Sequence, residues 1–207
     1  IRAVTSGTVT VDGTRVDLTQ GGTDPAAMRG LGLAHVPEDR HRMGLVTRFP
    51  ECENAILGYL RDPAYGRGPF LDFDRIRKAA KTEIEKYDIR PAECMLKTAN
   101  FSGGNQQKIV LAREMERDPD VLIVGQPTRG VDIGAIEFIH NQIIKMRDAG
   151  KAILLVSVEL DEIRSLSDRI IVLFDGQIVG EADPDTADEG ELGLLMAGVN
   201  PGKETLQ

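Results

Sequence analysis

Ser102-Gly103-Gly104-Asn105-Gln106-Gln107, followed by Asp118-Pro119-Asp120, the apolar run Val121-Leu122-Ile123-Val124 and then Gly125-Gln126-Pro127-Thr128-Arg129-Gly130-Val131-Asp132, decides the fold of this chain. The first block stands at the start of a helix predicted over 105–116. There Leu111 and Met115 are four residues apart, and Ile109 and Ala112 three. At such a start, unpaired backbone N–H groups and the helix dipole favour an anion. Two glycines let backbone approach a phosphate closely, and the serine hydroxyl adds a donor. Taken alone, Ser-Gly-Gly reads more often as a flexible turn and helix cap. The ordered blocks downstream change that balance.

Outward from this stretch, the pattern is that of an α/β protein. Val121 to Val124 is followed by a long amphipathic helix marked by Ile136, Ile139, Ile143 and Met146 and ending near Gly150. A second buried-type strand at 152–156, a helix at 159–166 and a third strand at 169–174 follow. Continuous apolar strands alternating with helices indicate a parallel sheet covered on both faces. Upstream, alternation over 8–11 and 14–18 about Asp12-Gly13 predicts a β-hairpin. A short helix is expected at 25–29, capped by Thr23 or Asp24, and a strand at 33–36 ending at Pro37. The stretch 43–72 reads as irregular, broken by Gly58, Pro63, Gly66, Gly68 and Pro69, with a helix at 53–60. A stronger helix is predicted over 74–87, with Ile76, Ala80, Ile84 and Tyr87 on one face. The chain closes with a hairpin at Asp175-Gly176 running into 177–180, a helix at 189–196 and a frayed end.

The bulk numbers narrow the partners. The 207 residues, 41% hydrophobic and 28% charged, suit one folded domain with a small subdomain. Lys and Arg total 25 against 33 acids, a formal charge of −8 with no basic stripe, which speaks against nucleic acid. No apolar run reaches the length of a bilayer, so a membrane role would run through a partner. Cys52 and Cys94 lie far apart without Cys or His companions, which favours reduced thiols over zinc or a disulfide. His35, His41 and His140 read as structural or solvated rather than as ligands, and Arg40, Arg42 and Arg48 as a solvated positive face, with contact to phosphate the alternative.

With these blocks in order, the sequence resembles the ABC transporter ATPases: a signature loop at 102–107, a Walker B strand at 121–125 and a D-loop ending at Asp132. Glu159-Leu160-Asp161-Glu162 and Ser167-Asp168-Arg169 before Ile170 match the end of that fold, so the resemblance covers nearly the whole chain. Val36-Pro37-Glu38-Asp39-Arg40 with Gly44-Leu45 looks like the second ATP-binding domain of tandem sugar importers. Gly134 to His140 with Gln126 is more like the nucleoside branch. The resemblance implies a P-loop NTPase-like core over 1–44 and 118–207, with an N-terminal antiparallel hairpin and an inserted helical subdomain over 45–117. It also implies ATP and Mg2+ as cofactors. The implied partners are another ABC ATPase domain (of the same chain or a second copy), membrane-spanning permease subunits and, indirectly, a solute-binding protein. The implied place is the cytoplasmic face of a bacterial membrane.

Departures from the family pattern are as informative. No GxxxxGK[ST] phosphate loop is present, which suggests an excerpt from a longer protein. Its missing strand and helix are expected to leave an unpaired sheet edge or a gap, with self-association as the consequence. Gly125 stands where the family has the magnesium aspartate, Gln126 where it has the catalytic glutamate, and Val158 where it has the switch histidine; Glu38 replaces the Q-loop glutamine. An amide accepts no proton at neutral pH, and loss of a positioned general base typically costs about 10²–10⁴ in rate. The resemblance therefore implies a domain that lends Ser102, Gly103, Gly104, Asn105, Gln106 and Asp132 to a nucleotide held by another domain, while its own site is degenerate, holds nucleotide weakly and hydrolyses nothing. The alternatives are a non-transport ABC ATPase of DNA repair or translation, and a regulatory domain that holds nucleotide without turnover.

Overall fold

The computed structural model describes residues 6–16 and 24–199. The predicted strand end at Leu18, the alternative cap Thr23 and the frayed end beyond 199 lie outside the described residues. Strands β1 (Val9–Val11) and β2 (Thr14–Val16) form the opening hairpin. Asp12 and Gly13 both adopt positive φ, 46° and 70°, as a two-residue turn with the twist of the flanking strands requires. Helix α1 (Pro25–Gly30) is capped by Asp24, whose carboxylate accepts from the Ala26 N–H at 3.0 Å. Strand β3 (Leu33–Val36) follows and leads into a π-helical turn, Arg40–Gly44.

The segment from 45 to 117 is largely helical, with one difference from expectation at its start. Helix α2 spans only Glu51–Asn54, and turns replace the helix predicted to reach residue 60. Gly58 at φ 90° explains the break: a Cβ there would come within 2.8 Å of the Arg29 guanidinium. The stretch read as irregular also holds a small hairpin, β4 (Gly66–Arg67) with β5 (Phe70–Leu71). Helix α3 (Phe73–Lys86) buries Ile76, Ala80 and Ile84 as its spacing predicted, with Tyr87 buried just beyond.

Helix α4 (Gly103–Met115) is the centre of the molecule's first part. Every residue from 106 to 115 is buried, so the helix is wrapped on all sides and its body cannot shift without breaking packing all round. Its buried charges are paired. Arg113 donates to the Gly44 and Asn54 carbonyls at 2.8 and 3.1 Å and to Glu114 at 2.9 Å, while Glu114 accepts from the Tyr59 hydroxyl at 2.7 Å.

Strand β6 (Val121–Gly125) pairs in parallel with β3, Leu33 opposite Val121 through Val36 opposite Val124. Helix α5 (Ile133–Asp148) packs on α4, and β7 (Ala152–Val156) completes a three-stranded sheet of order β3-β6-β7. Parallel sheet and flanking helices bear out the α/β expectation. Two details differ. Leu154 and Val156 are 56% and 52% exposed, so β7 lacks the expected cover. An apolar run reports a capacity for burial, and among the described residues only about half of it is used at these two side chains.

The chain divides within β7 into two compact units, residues 1–154 and 155–207. The second unit contains helix α6 (Leu160–Leu166), the antiparallel pair β8 (Ile170–Phe174) and β9 (Gln177–Ala182), and helix α7 (Glu189–Met196). Strand β8, expected as a third member of the parallel sheet, pairs with β9 in a sheet of its own among the described residues. The cause is local. Asp175 and Gly176, at φ 48° and 76°, fold the chain straight back, and Ile170 and Val172 then bury against Leu192 and Leu195 of α7.

Candidate functional site

Ser102 is the N-cap of α4, and its position follows from the burial of that helix. The Ser102 side chain is exposed, with backbone in the extended region, and its Oγ accepts from the Asn105 N–H at 3.3 Å and from Asn105 Nδ2 at 2.9 Å. Asn105 Oδ1 in turn accepts from the Arg90 N–H at 2.7 Å, which fixes the amide's orientation. The Gln106 N–H is spent on the Ser102 carbonyl at 2.9 Å. Among the described residues the N–H groups of Gly103 and Gly104 have no acceptor. Two free backbone donors, at half-buried Gly103 and buried Gly104, an exposed hydroxyl with an unspent proton and the positive end of a helix of 13 residues together have the chemistry that favours an anion. The nucleotide phosphates implied by the sequence fit this donor set.

Gln106 faces the other way. It is 6% exposed, and its Nε2 donates to the Thr98 and Phe101 carbonyls at 3.0 and 3.2 Å. Its Oε1 lies 2.7 Å from His41 Nε2. Since both amide hydrogens go to carbonyls, the oxygen must accept and His41 Nε2 carries the proton. Gln106 therefore holds the loop from within and presents nothing outward. Asp132 caps α5, accepting from the Ala135 N–H at 3.0 Å, and is exposed.

The glycines have a second reason that the sequence did not disclose. A Cβ on Gly103 would lie 2.5 Å from the Gly130 carbonyl oxygen and 2.9 Å from Arg40 Nη2. One on Gly104 would lie 2.7 Å from Asp132 Oδ2 and 2.8 Å from the Ala135 Cβ. The helix start thus packs against the chain's own 130–135 segment as closely as backbone allows. Arg40, read from sequence as solvated, is half-buried and donates to the Arg129 and Gly130 carbonyls at 2.8 and 3.2 Å. No sequence signal marked it, because its partners are backbone atoms 89 and 90 residues away. Arg42 and Arg48 are exposed as expected.

The end of β6 offers a different chemistry. Gly125 is buried with a Cβ position only 3.1 Å from the Glu38 backbone nitrogen, and it has no side-chain donor for a cation. Gln126 is half-buried at φ 47°, a left-handed conformation unusual for a residue with a side chain. Glu38 is exposed and ion-paired with Arg129 at 3.0 Å. In the second unit Val158 is 61% exposed, and no group of its side chain donates or accepts a hydrogen bond. The residues at 125 and 126 do not fit a magnesium site, and among the described residues no group of three His, Cys, Asp or Glu forms one elsewhere.

The chain is similar to known proteins along most of its length. The nucleoside import ATP-binding protein NupA of Lactococcus lactis is 48% identical over 176 residues, covering 85% of this chain and 35% of that protein. The guanosine import ATP-binding protein NupO of Bacillus subtilis is 46% identical over 200 residues, 96% of this chain and 38% of that protein. The chain therefore spans little more than a third of the length of these curated relatives. No family model matches the sequence. Among solved structures, the dimeric post-hydrolysis state of the ATP-binding cassette MJ0796 bound to ADP and Pi superposes with a TM-score of 0.68 at 23% identity, over 87% of this chain and 74% of that one. By sequence along most of its length and by the order of its strands and helices, the chain belongs to the ABC-type ATP-binding proteins.

Proposed function

We propose that this chain is an energy-coupling part of an ABC importer of the nucleoside or sugar class, and that it lends its Ser102–Asn105 loop to ATP held by another ABC domain. The observation that carries the proposal is the start of α4, where the exposed Ser102 hydroxyl stands beside the free N–H groups of half-buried Gly103 and buried Gly104 on a helix immobilised by burial. Bound ATP supplies the phosphate charge that such donors stabilise. Asp132, exposed at the cap of α5, borders the same face. The chain's own hydrolytic centre is degenerate in this reading, because Gly125, Gln126 and Val158 offer neither metal ligand, general base nor hydrogen-bonding switch.

The helical segment 45–117, inserted in a core made of 1–44 and 118–207, would face permease subunits, with a solute-binding protein beyond them. Among the described residues no helix is long and apolar enough to cross a membrane, so attachment through partners at the cytoplasmic face fits. Relatives named for nucleoside, guanosine and ribose import favour this reading over repair or translation. The test is ATP turnover by the full-length protein assembled with its permease. Ser102→Arg fills the loop with a bulky side chain and removes the cap of α4, so it is expected to abolish turnover while lowering the melting temperature by only about 2–4 °C, the cost of a lost cap. Unchanged turnover would refute the proposal.

A further inference from the structure

Resting on the reading just given, we propose that Arg40 is a positioning residue: its guanidinium fastens the 129–132 segment to the start of α4, so that Ser102 and Asp132 meet the nucleotide as one rigid unit. Both guanidinium ends are committed, Nη1 to the Arg129 carbonyl at 2.8 Å and Nη2 to the Gly130 carbonyl at 3.2 Å. Nη2 also lies 2.9 Å from where a Gly103 Cβ would stand, so the same group touches the signature loop from below. The third nitrogen, Nε, is buried without a partner, a cost the site bears to hold the other two in place.

Arg40 opens the π-helical turn Arg40–Gly44, a rare conformation that concentrates at functional positions. That turn makes three separate attachments. Arg40 reaches the 129–130 carbonyls, His41 donates to Gln106 in α4 at 2.7 Å, and the Gly44 carbonyl accepts from Arg113, also in α4, at 2.8 Å. The turn is thereby a joint between β3, the loop after β6 and the signature helix. Only the Arg40 arm spans to the loop; the exposed Glu38–Arg129 pair beside it, with both side chains more than 60% exposed, contributes little. Cutting that one arm should loosen the loop against the helix, with the glycine contacts at 103 and 104 left in place and both elements still folded.

The experiment uses the full-length protein with its permease. Arg40→Ala is expected to lower kcat for ATP about tenfold with KM within about twofold, because the lost contacts act on charge that develops in the transition state. Arg40→Lys, which keeps one carbonyl bond, should fall between. Millimolar guanidinium ion should restore part of the Arg40→Ala loss and none of the Ser102→Arg loss. If Ser102→Arg abolishes turnover while Arg40→Ala is at wild-type rate, the positioning role is wrong and the trans-acting loop stands. If Arg40→Ala is slow but neither lysine nor guanidinium helps, the arginine is merely structural and the inference also fails. Wild-type turnover in Ser102→Arg would instead overturn the functional reading itself.

Discussion

Raising the pH from 5 to 8 should destabilise the fold through two buried carboxyl groups. Glu51 is 1% exposed and neither of its oxygens has a hydrogen-bond partner; Glu83 is 7% exposed with one oxygen unpartnered. Burial, with Glu83 adding to it, pushes the Glu51 carboxyl from 4.5 up to about 8. Burial likewise lifts Glu83 from 4.5 to about 7. Both groups hold a proton in the fold that the unfolded chain gives up near pH 4.5. The contribution of these two groups is thus largest at low pH, declines as pH climbs from the unfolded through the folded values, and is level above about 9. The loss between pH 5 and 8 comes to about 3 kcal/mol from Glu51 and about 2 kcal/mol from Glu83. The assay is urea unfolding followed by circular dichroism at each pH. Glu51→Met, of similar size and without the oxygens, should flatten more than half of the slope and stabilise the protein at pH 8 by about 2–3 kcal/mol. Stability that rises over this range, or a Glu51→Met variant with the wild-type slope, would refute the reasoning.

Two further predictions concern the end of β6. Gln126→Gly should stabilise the fold by about 1 kcal/mol in chemical denaturation, because glycine adopts φ 47° without the steric cost of a side chain. Gly125→Asp brings a Cβ to within 3.1 Å of the Glu38 nitrogen, so it should destabilise by about 1–2 kcal/mol and, even combined with Gln126→Glu, add no ATP hydrolysis in a phosphate-release assay.

The sequence made most elements legible where pattern alone dictates them. Ile76, Ala80 and Ile84 mark a face of α3 by spacing, and Asp12-Gly13 and Asp175-Gly176, each between alternating or apolar runs, are the pair a two-residue hairpin turn with positive φ favours. It misled where cover or partners come from afar. The run at 170–174 and the turn after it show a strand and its hairpin, but not whether the strand's other edge joins the parallel sheet, since period and composition are identical in both. Leu154 and Val156 look buried for the same reason. At the candidate site, Ser102 was readable as a cap over free donors. Arg40 was not, because an arginine that binds backbone carbonyls leaves no trace in the residues it binds, and Gln106 was assigned outward when its three hydrogen-bond partners lie within the fold.

The chain has no tryptophan and three tyrosines, and all of the latter, Tyr59, Tyr65 and Tyr87, fall in one stretch of the sequence. Tyr59 lies between the Arg29 and Arg117 guanidiniums, 4.9 and 4.5 Å from its ring centre, and donates to Glu114. Tyr87 donates to Glu116, and Tyr65 accepts from Arg117. Tyrosine absorbance and tyrosine emission therefore report on this part of the molecule alone, and the hairpin of β8 and β9, which holds no tyrosine, adds nothing to either signal. Burial lifts the Tyr59 phenol to about 12, so phenolate absorbance near that alkalinity registers as a late signal tied to loosening around α4.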